Sequence, residues 1–458
     1  MTNNRNLSAA VCTLGCKVNQ YESDCIISEF TRLGFKTKDF SEVCDVYVIN
    51  TCTVTAQSDK KSKQMIRRAK RLNSNAIIAV CGCFSQINPE YFHNSLAVDI
   101  IAGTADKLKI PQIAFDILEN KNRNVVNIVK DISECNEYEN INAYTSEKTR
   151  AYIKIQDGCN AKCSYCVIPL ARGKVRSRRY EDILSEVRRF NDTGYREIVF
   201  AGIEIAAYGT DLKNIDLISL LEKLDAEPSL TNIISMRLSS LDPAYINKNF
   251  IYRFAQLKKS ANHFHLSLQS GSDRILNLMR RKYNIKTILE NLQYAKDKIP
   301  ELILTADMIV GFPTENNEDF DKSVDIVEKL NIYHTHIFTY SKRPNTDAAK
   351  FDGQIEANIK NERSRELFDK CKKIKYSILK NIANFSKKCY DVVIENYHDE
   401  NGEKYYTAKT KNYIDIKIFS RNDGDVVIGS MRTVKVTGFD SDFLLCDMIR
   451  EPFDYTEQ

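Results

Sequence analysis

The densest group of reactive residues is the run DGCNAKCSYCVIP, in which Cys159, Cys163 and Cys166 are separated by three and then two residues. Three soft thiolates this close can wrap one cubane iron–sulfur cluster and leave its fourth iron without a protein ligand. An open iron can bind a small chelating molecule. The rival reading is a zinc knuckle, for which no neighbouring His or Cys closes a tetrahedral site. A second group is dispersed: Cys16 in TLGCKVNQYES, Cys52 in INTCTV and Cys83 in CGCFSQ each follow an expected strand by one to three residues. In open α/β sheets ligands gather at that edge, so three distant cysteines can meet there in a second metal site. Cys12 and Cys81 fall inside expected strands and Cys25 on a helix, where buried thiols are expected. Cys371, Cys389 and Cys446 read as structural, and Cys44 and Cys135 carry no signal.

Two basic runs follow these cysteine segments. Residues 60–71 (KKSKQMIRRAKR) hold seven Lys or Arg and no acid, among them Lys60, Lys61, Lys63, Arg67 and Arg68. Residues 172–179 (RGKVRSRR) hold five: Arg172, Lys174, Arg176, Arg178 and Arg179. Both sets are expected to gather RNA phosphates around an active-site mouth, the alternative being a solvated basic face. Residues 380–450 carry eleven basic and eleven acidic residues. RNA binding there would need a local patch or stacking by Tyr405, Tyr406 or Tyr413. His263, His265, His334 and His336 alternate along strands and read as satisfied lumen residues before they read as a metal site.

The elements that must position these groups follow from hydrophobic periodicity. Strands are expected at 8–14, 45–50, 76–81 and 97–102, with helices near 20–33 and 56–72, as in an open α/β unit over residues 1–120. A linker is expected at 121–144. Over 145–380, strands at 151–155, 197–202, 233–238, 263–268, 303–310 and 334–340 alternate with helices, which implies parallel strands in one curved sheet, a full or partial barrel with its chemistry at the strands' C-terminal ends. A long polar helix at 355–386 leads to five short strands within 381–450, the pattern of a small β-barrel.

Composition narrows the class. A chain of 458 residues at 43% hydrophobic and 28% charged suits two to four globular domains and excludes a peptide or a disordered tail. No apolar run reaches membrane-spanning length, and MTNNRNLSAAVCTLG lacks a secretory apolar stretch, so a cytoplasmic location is expected. Fourteen cysteines in a reducing compartment serve as ligands, nucleophiles or core residues before they serve as disulfides. The net charge of +5 permits a nucleic-acid partner.

The CNAKCSYC run resembles the signature of radical S-adenosylmethionine (SAM) enzymes. That resemblance implies a partial six-strand (β/α)6 barrel, a [4Fe-4S] cluster on Cys159, Cys163 and Cys166, and SAM chelating the open iron. It also implies SAM contacts from Tyr165, Gly202, Glu204, Arg237, Ser240, Asp242, Gln269, Ser270 and Gly311. TLGCKVNQYES, NTCTV, GCFSQ and HIFTYSKRPNTDAA are similar to the methylthiotransferase subfamily, in which Cys16, Cys52 and Cys83 would hold a second [4Fe-4S] cluster and the last domain would be a TRAM-like RNA-binding barrel. Glu204, Ser267 and Asp242 depart from the residues usual there. Lys17 resembles the branch that methylthiolates threonylcarbamoyladenosine at tRNA position 37; the isopentenyladenosine branch typically has Gln, and the branch acting on a ribosomal-protein aspartate has Pro. The resemblance implies two SAM molecules, a low-potential electron donor and a sulfur source. An RNA-binding iron–sulfur sensor without turnover is the reading of a different class.

Overall fold

The computed structural model describes residues 6–95, 98–120, 123–143, 149–384, 388–400, 402–419 and 426–449. Six parallel strands form the first sheet: β1 (Ser8–Thr13), β2 (Lys36–Thr37), β3 (Val46–Thr51), β4 (Ile77–Gly82), β5 (Ile100–Ile101) and β6 (Val126–Asn127), in the order β2-β1-β3-β4-β5-β6. β3 and β4 are buried at every position, because a central parallel strand is covered by helices on both faces. Their side chains alternate between two cores, with Tyr47, Ile49, Ile78 and Val80 in one and Val46, Val48, Ile77 and Ala79 in the other. β6 lies in the segment expected as a linker. Its pairing of Val126 and Asn127 with Ile100 and Ile101 extends the sheet past residue 120 and covers an otherwise open edge. The expected boundaries at 121, 144–145 and 450 lie outside the described residues.

Three helices frame this sheet's C-terminal edge: α1 (Lys17–Arg32), α2 (Ala56–Leu72) and α3 (Cys83–Ile87). The Thr55 hydroxyl accepts the Ser58 N–H and caps α2, which buries only Ser62, Ile66 and Ala69. That stripe, at spacings of four and three, seats the helix and leaves its basic face outward.

The second unit contains β7 (Ala151–Lys154), β8 (Gln156–Asp157), β9 (Arg176–Ser177), β10 (Glu197–Ala201), β11 (Ser235–Leu238), β12 (Ser240–Leu241), β13 (His263–Gln269), β14 (Ile303–Val310) and β15 (His334–Thr339). Two parallel sheets, β11-β10-β7 and β12-β13-β14-β15, meet at Ser239, where one chain segment passes from β11 to β12. The result is a curved six-strand wall in which each expected strand is present. Even-numbered β14 residues Leu304, Ala306, Met308 and Val310 are buried toward the helices, so Thr305 and Asp307 face the lumen.

The helix Ala357–Asn384 leads to a closed barrel of β16 (Cys389–Glu400), β17 (Glu403–Lys409), β18 (Asp415–Phe419), β19 (Met431–Phe439) and β20 (Leu444–Met448), ordered β16-β17-β18-β20-β19. One hydrophobic core runs from Phe264 and Leu304 through Leu379 to Ile394 and Ile416, so this barrel is packed onto the central unit. Among the described residues no helix is long and apolar enough to cross a membrane.

Candidate active site: two cysteine triads and a buried arginine

The strand order places β1, β3 and β4 side by side, and their C-terminal ends deliver the dispersed cysteines to one place. Cys16 is the N-cap of α1, Cys52 follows β3 directly, and Cys83 opens α3. Gly15, at φ +100, crosses so near Cys52 that an added Cβ would lie 2.8 Å from its Sγ. Burial pushes the Cys52 thiol up to about 12, and the sulfurs of Cys83 and Cys16 push the same way. The Cys16 thiol, at an exposed position, is raised as well, with Cys83 acting on it. The three thiols are therefore electrostatic neighbours, which a spacing of some 30 residues in sequence could only suggest.

The compact triad sits on the loop after β8. The Cys159 amide donates to the Gly173 carbonyl at 3.0 Å and the Cys166 amide to the Cys163 carbonyl at 3.1 Å, which folds the three sulfurs toward one another. Gly158, at φ +72, passes the Lys174 carbonyl so closely that a Cβ would lie 1.8 Å from it. Burial pushes Cys159 up to about 11 and Cys166 up to about 12. Ligation requires thiolates, so loading either triad releases protons.

Arg172 ties the dispersed triad to the chain segment that follows the compact one. It ends the short helix Ile168–Arg172 that begins two residues after Cys166, is fully buried, and donates from Nε to Cys83 Sγ at 3.3 Å. Its Nη1 donates to Glu22 Oε1 at 2.6 Å, and its Nη2 donates to Glu22 Oε2 at 3.0 Å and to Asn19 Oδ1 at 2.7 Å. Lys107 and Lys154 reach the same Glu22 at 2.5 and 2.8 Å. Burial alone would raise the Glu22 carboxyl, but the three cations hold it well below the usual carboxylate range.

This corrects the expectation that Arg172 meets RNA phosphates. Arg176 and Arg178 are corrected with it: both are buried, Arg176 donating to the Arg172 carbonyl at 2.9 Å and Arg178 pairing with Glu186. The signal missed was the buried acid that each arginine needed. Lys174 and Arg179 stay exposed, as do Lys60, Lys61, Arg67 and Arg68 on α2, while Lys63 lies half-buried over the Tyr91 ring at 4.0 Å. Arg343, in the stretch after β15, donates to Thr53 Oγ1 at 2.7 Å and Asp59 Oδ2 at 2.6 Å, fixing the start of α2 beside the central barrel.

Around the compact triad the expected SAM residues divide. Glu204 and Asp242 lie close together with Arg281, which pairs with Asp242 at 3.1 Å and points Nη1 at Cys163 Sγ from 3.6 Å. Burial, reinforced by Asp242 and opposed by Arg281, pushes the Glu204 carboxyl up to about 7. Gly202 leaves room for the Gln156 amide, whose Oε1 accepts the Glu204 N–H at 2.9 Å. Tyr165 packs edge-on to Phe312 at 6.5 Å, next to Gly311. Ser240 and Gln269 stand at the ends of their strand segments. Arg281, Tyr283 and Gln156 were not singled out from sequence, since nothing in RRKY or KIQD distinguishes them without the fold.

Two of the expected SAM contacts are elsewhere. Arg237 is buried, donates to Glu197 Oε1 at 2.7 Å and to the Lys411 carbonyl at 3.2 Å, and lies under the Tyr413 ring; the carboxylate at the start of β10 draws it toward the C-terminal barrel. Ser270 is fully buried in a turn, 3.3 Å from the Ser323 hydroxyl. Tyr406 is buried and Tyr413 stacks on His263 at 4.5 Å, which leaves Tyr405, stacked on His398 with Lys417 over its ring at 4.0 Å. The histidines form a chain: His263 and His265 both contact Thr305 Oγ1, at 2.8 and 2.7 Å, and His265 and His336 both contact Asp307 Oδ1, at 3.2 and 3.1 Å.

Residues 153–327 match the radical SAM superfamily, and residues 8–103 match the uncharacterized protein family UPF0004. The chain is 36% identical to the threonylcarbamoyladenosine tRNA methylthiotransferase MtaB of Bacillus subtilis, covering 93% of this chain and 92% of that protein. It is 32% identical to a tRNA-2-methylthio-N(6)-dimethylallyladenosine synthase of Thermoanaerobacter sp., covering 94% and 91%. Among solved structures it shares the fold of the radical SAM methyltransferase TsrM from Kitasatospora setae, with a TM-score of 0.53 at 15% identity over 75% of this chain and 77% of that one. The chain therefore belongs to the radical SAM tRNA methylthiotransferase family, in its MtaB-like branch, and is an enzyme that works with SAM and two [4Fe-4S] clusters.

Proposed function

We propose that this enzyme converts the C2–H of N6-threonylcarbamoyladenosine at position 37 of tRNA into a C2–SCH3 group. The observation that carries the reading is the pair of cysteine triads, one of them bonded through Cys83 to Arg172, in a chain that aligns over 93% of its length with a protein of that named activity. Cys159, Cys163 and Cys166 would hold one cluster, and Cys16, Cys52 and Cys83 the other. When bound, the clusters and two SAM molecules supply electron transfer, hydrogen abstraction and the methylthio group.

The protein's own residues bind and orient. Tyr165 with Phe312 offers an apolar surface for adenine, and Gly202, Glu204, Ser240, Asp242, Gln269 and Gly311 ring the SAM end, with Arg281 holding Asp242 in place. Glu204, kept partly protonated, can donate a hydrogen bond as well as accept one. The exposed lysines and arginines of α2, with Lys174 and Arg179, hold the RNA backbone, and the Tyr405–His398 stack offers a base platform. Electrons come from a low-potential donor and replacement sulfur from a separate source, in the cytoplasm.

The test is anaerobic reconstitution, then incubation with SAM, a reductant and an anticodon stem-loop carrying threonylcarbamoyladenosine. Nucleoside mass spectrometry should show the methylthio product. Product on isopentenyladenosine RNA or on a ribosomal-protein aspartate instead would move the substrate assignment. No 5′-deoxyadenosine at all would favour the sensor without turnover.

A further inference from the structure

Three neighbouring strands of the central barrel carry a group of side chains that the chemistry proposed for this enzyme does not use. His265 on β13, Asp307 on β14 and His336 on β15 stand on adjacent parallel strands. The register sets His265 opposite Thr305 and Asp307 opposite His336. Residues paired across a sheet point to the same face, so all three side chains share the lumen side with Thr305. One carboxylate oxygen is their centre: Asp307 Oδ1 lies 3.2 Å from His265 Nε2 and 3.1 Å from His336 Nδ1. A ligand atom from each of the three residues lies within 4.8 Å of the other two.

These are the distances of a chelating set. Around a tetrahedral ion with bonds of about 2.0–2.1 Å, neighbouring N and O ligands stand roughly 3.3 Å apart. His265 is also oriented as a ligand must be. Its Nδ1 lies 2.7 Å from Thr305 Oγ1, which in turn lies 2.8 Å from His263 Nε2. With its hydrogen on Nδ1, the His265 ring donates to Thr305, the Thr305 hydrogen goes to His263, and the Nε2 lone pair is left toward Asp307. A hydrogen bond at the second ring nitrogen is how proteins usually fix a ligating imidazole. His265 is buried, Asp307 half-buried and His336 exposed, so the set is anchored at one side and open to solvent at the other. An ion can enter there, and water can complete its shell.

Two imidazoles and a carboxylate suit a transition ion such as Zn²⁺ or Fe²⁺, whereas Ca²⁺ and Mg²⁺ take oxygen ligands. Asp307 precedes Gly311 by four residues. At about 3.3 Å per residue, the set lies roughly 13 Å along the strand from the end where the expected SAM residues gather. We propose that His265, Asp307 and His336 form a binding site for one divalent transition-metal ion, separate from both cysteine triads, which ties β13, β14 and β15 together inside the lumen. The competing occupants of the same geometry are two protons, one on each ring, donated to Asp307.

The experiment uses the full-length, cluster-reconstituted enzyme as wild type, His336→Ala, Asp307→Asn and His334→Ala, with Zn²⁺ as the probe. Each is equilibrated anaerobically with Zn²⁺, desalted, and analysed for zinc and iron. His334 is the control: its ring stands 4.9 Å from that of His336 but outside the set. Wild type and His334→Ala should retain about one zinc per chain, and His336→Ala and Asp307→Asn none, with the same iron content in all four. Thr305→Val, which removes the hydroxyl that orients His265, should weaken zinc binding roughly ten- to a hundredfold in competition with a chelator. Wild type that keeps no zinc would overturn the proposal and leave the three residues as a hydrogen-bonded chain. Equal zinc in wild type, His336→Ala and Asp307→Asn, or zinc taken up only as iron is lost, would overturn it as well.

Discussion

Replacing Arg172 with alanine tests whether this residue is an internal bridge or an RNA contact. The substitution removes a guanidinium that donates to Glu22 at 2.6 and 3.0 Å, to Asn19 at 2.7 Å and to Cys83 at 3.3 Å. Breaking a buried pair on one side costs roughly 3–5 kcal/mol, because the partner charge is stranded. Here Glu22 retains Lys107 at 2.5 Å and Lys154 at 2.8 Å, and Asp157 retains Lys154 at 2.5 Å. The destabilisation should therefore sit at the low end of that range, about 3 kcal/mol. A chain of several units does not unfold in one step, so the assay is amide exchange in α1 and in Ile168–Arg172. About 3 kcal/mol of local stability corresponds to roughly hundredfold faster exchange there. Arg172→Lys keeps the charge but not the planar fork and should fall between. Glu22→Gln combined with Arg172→Ala should cost less than the sum of the two, since both remove one network. Unchanged exchange, with a defect confined to KM for RNA, would refute the bridge and restore the phosphate-contact reading.

Cys163→Ala should leave about four irons of the eight expected for two clusters and abolish SAM cleavage, whereas Cys52→Ala should also leave about four but keep SAM cleavage and lose methylthiolation; iron and sulfide counting with product analysis separates them. Removing the exposed charges Lys61 and Arg68 of α2 should lower the salt dependence of RNA binding by about 0.7–0.9 in slope for each phosphate no longer neutralised, while Arg176→Lys should leave the slope alone. Gly158→Ala should drive a methyl into the Lys174 carbonyl, 1.8 Å from the ideal Cβ, and cost the barrel its cluster, read as about four fewer irons per chain. In the cluster-free protein, Glu204 titrates at about 7 when folded and near the ordinary 4.3 when unfolded. The folded state thus binds more protons between those values, and stability falls as pH rises through that window. Glu204→Gln should reduce the slope in a thermal-shift series, leaving what Glu139 and Glu315, also raised by burial, contribute.

Local patterns carry the architecture of this protein. Alternating buried strands and amphipathic helices are written in residue order, so β1, β3, β4 and the six barrel strands are legible from period alone, as is the stripe that seats α2. The CxxxCxxC run is legible for the same reason, since its three sulfurs are close in sequence and one loop brings them together. Cys16, Cys52 and Cys83 were legible at one remove, through the rule that ligands collect where parallel strands end.

What remained hidden has a common cause. Whether a charged side chain meets solvent or a buried counter-charge depends on elements far away in the chain. RGKVRSRR reads as a uniform basic patch, yet Arg172, Arg176 and Arg178 are buried and only Lys174 and Arg179 are exposed, because the fold brings them Glu22 from 150 residues away and Asp157 and Glu186 from neighbouring elements. Arg237 turned to Glu197, and Ser270 to Ser323, for the same reason. The sequence by itself determined the strands, the helices and the cysteines available for clusters. The tertiary structure decided which of the cations meet a buried carboxylate and which face solvent.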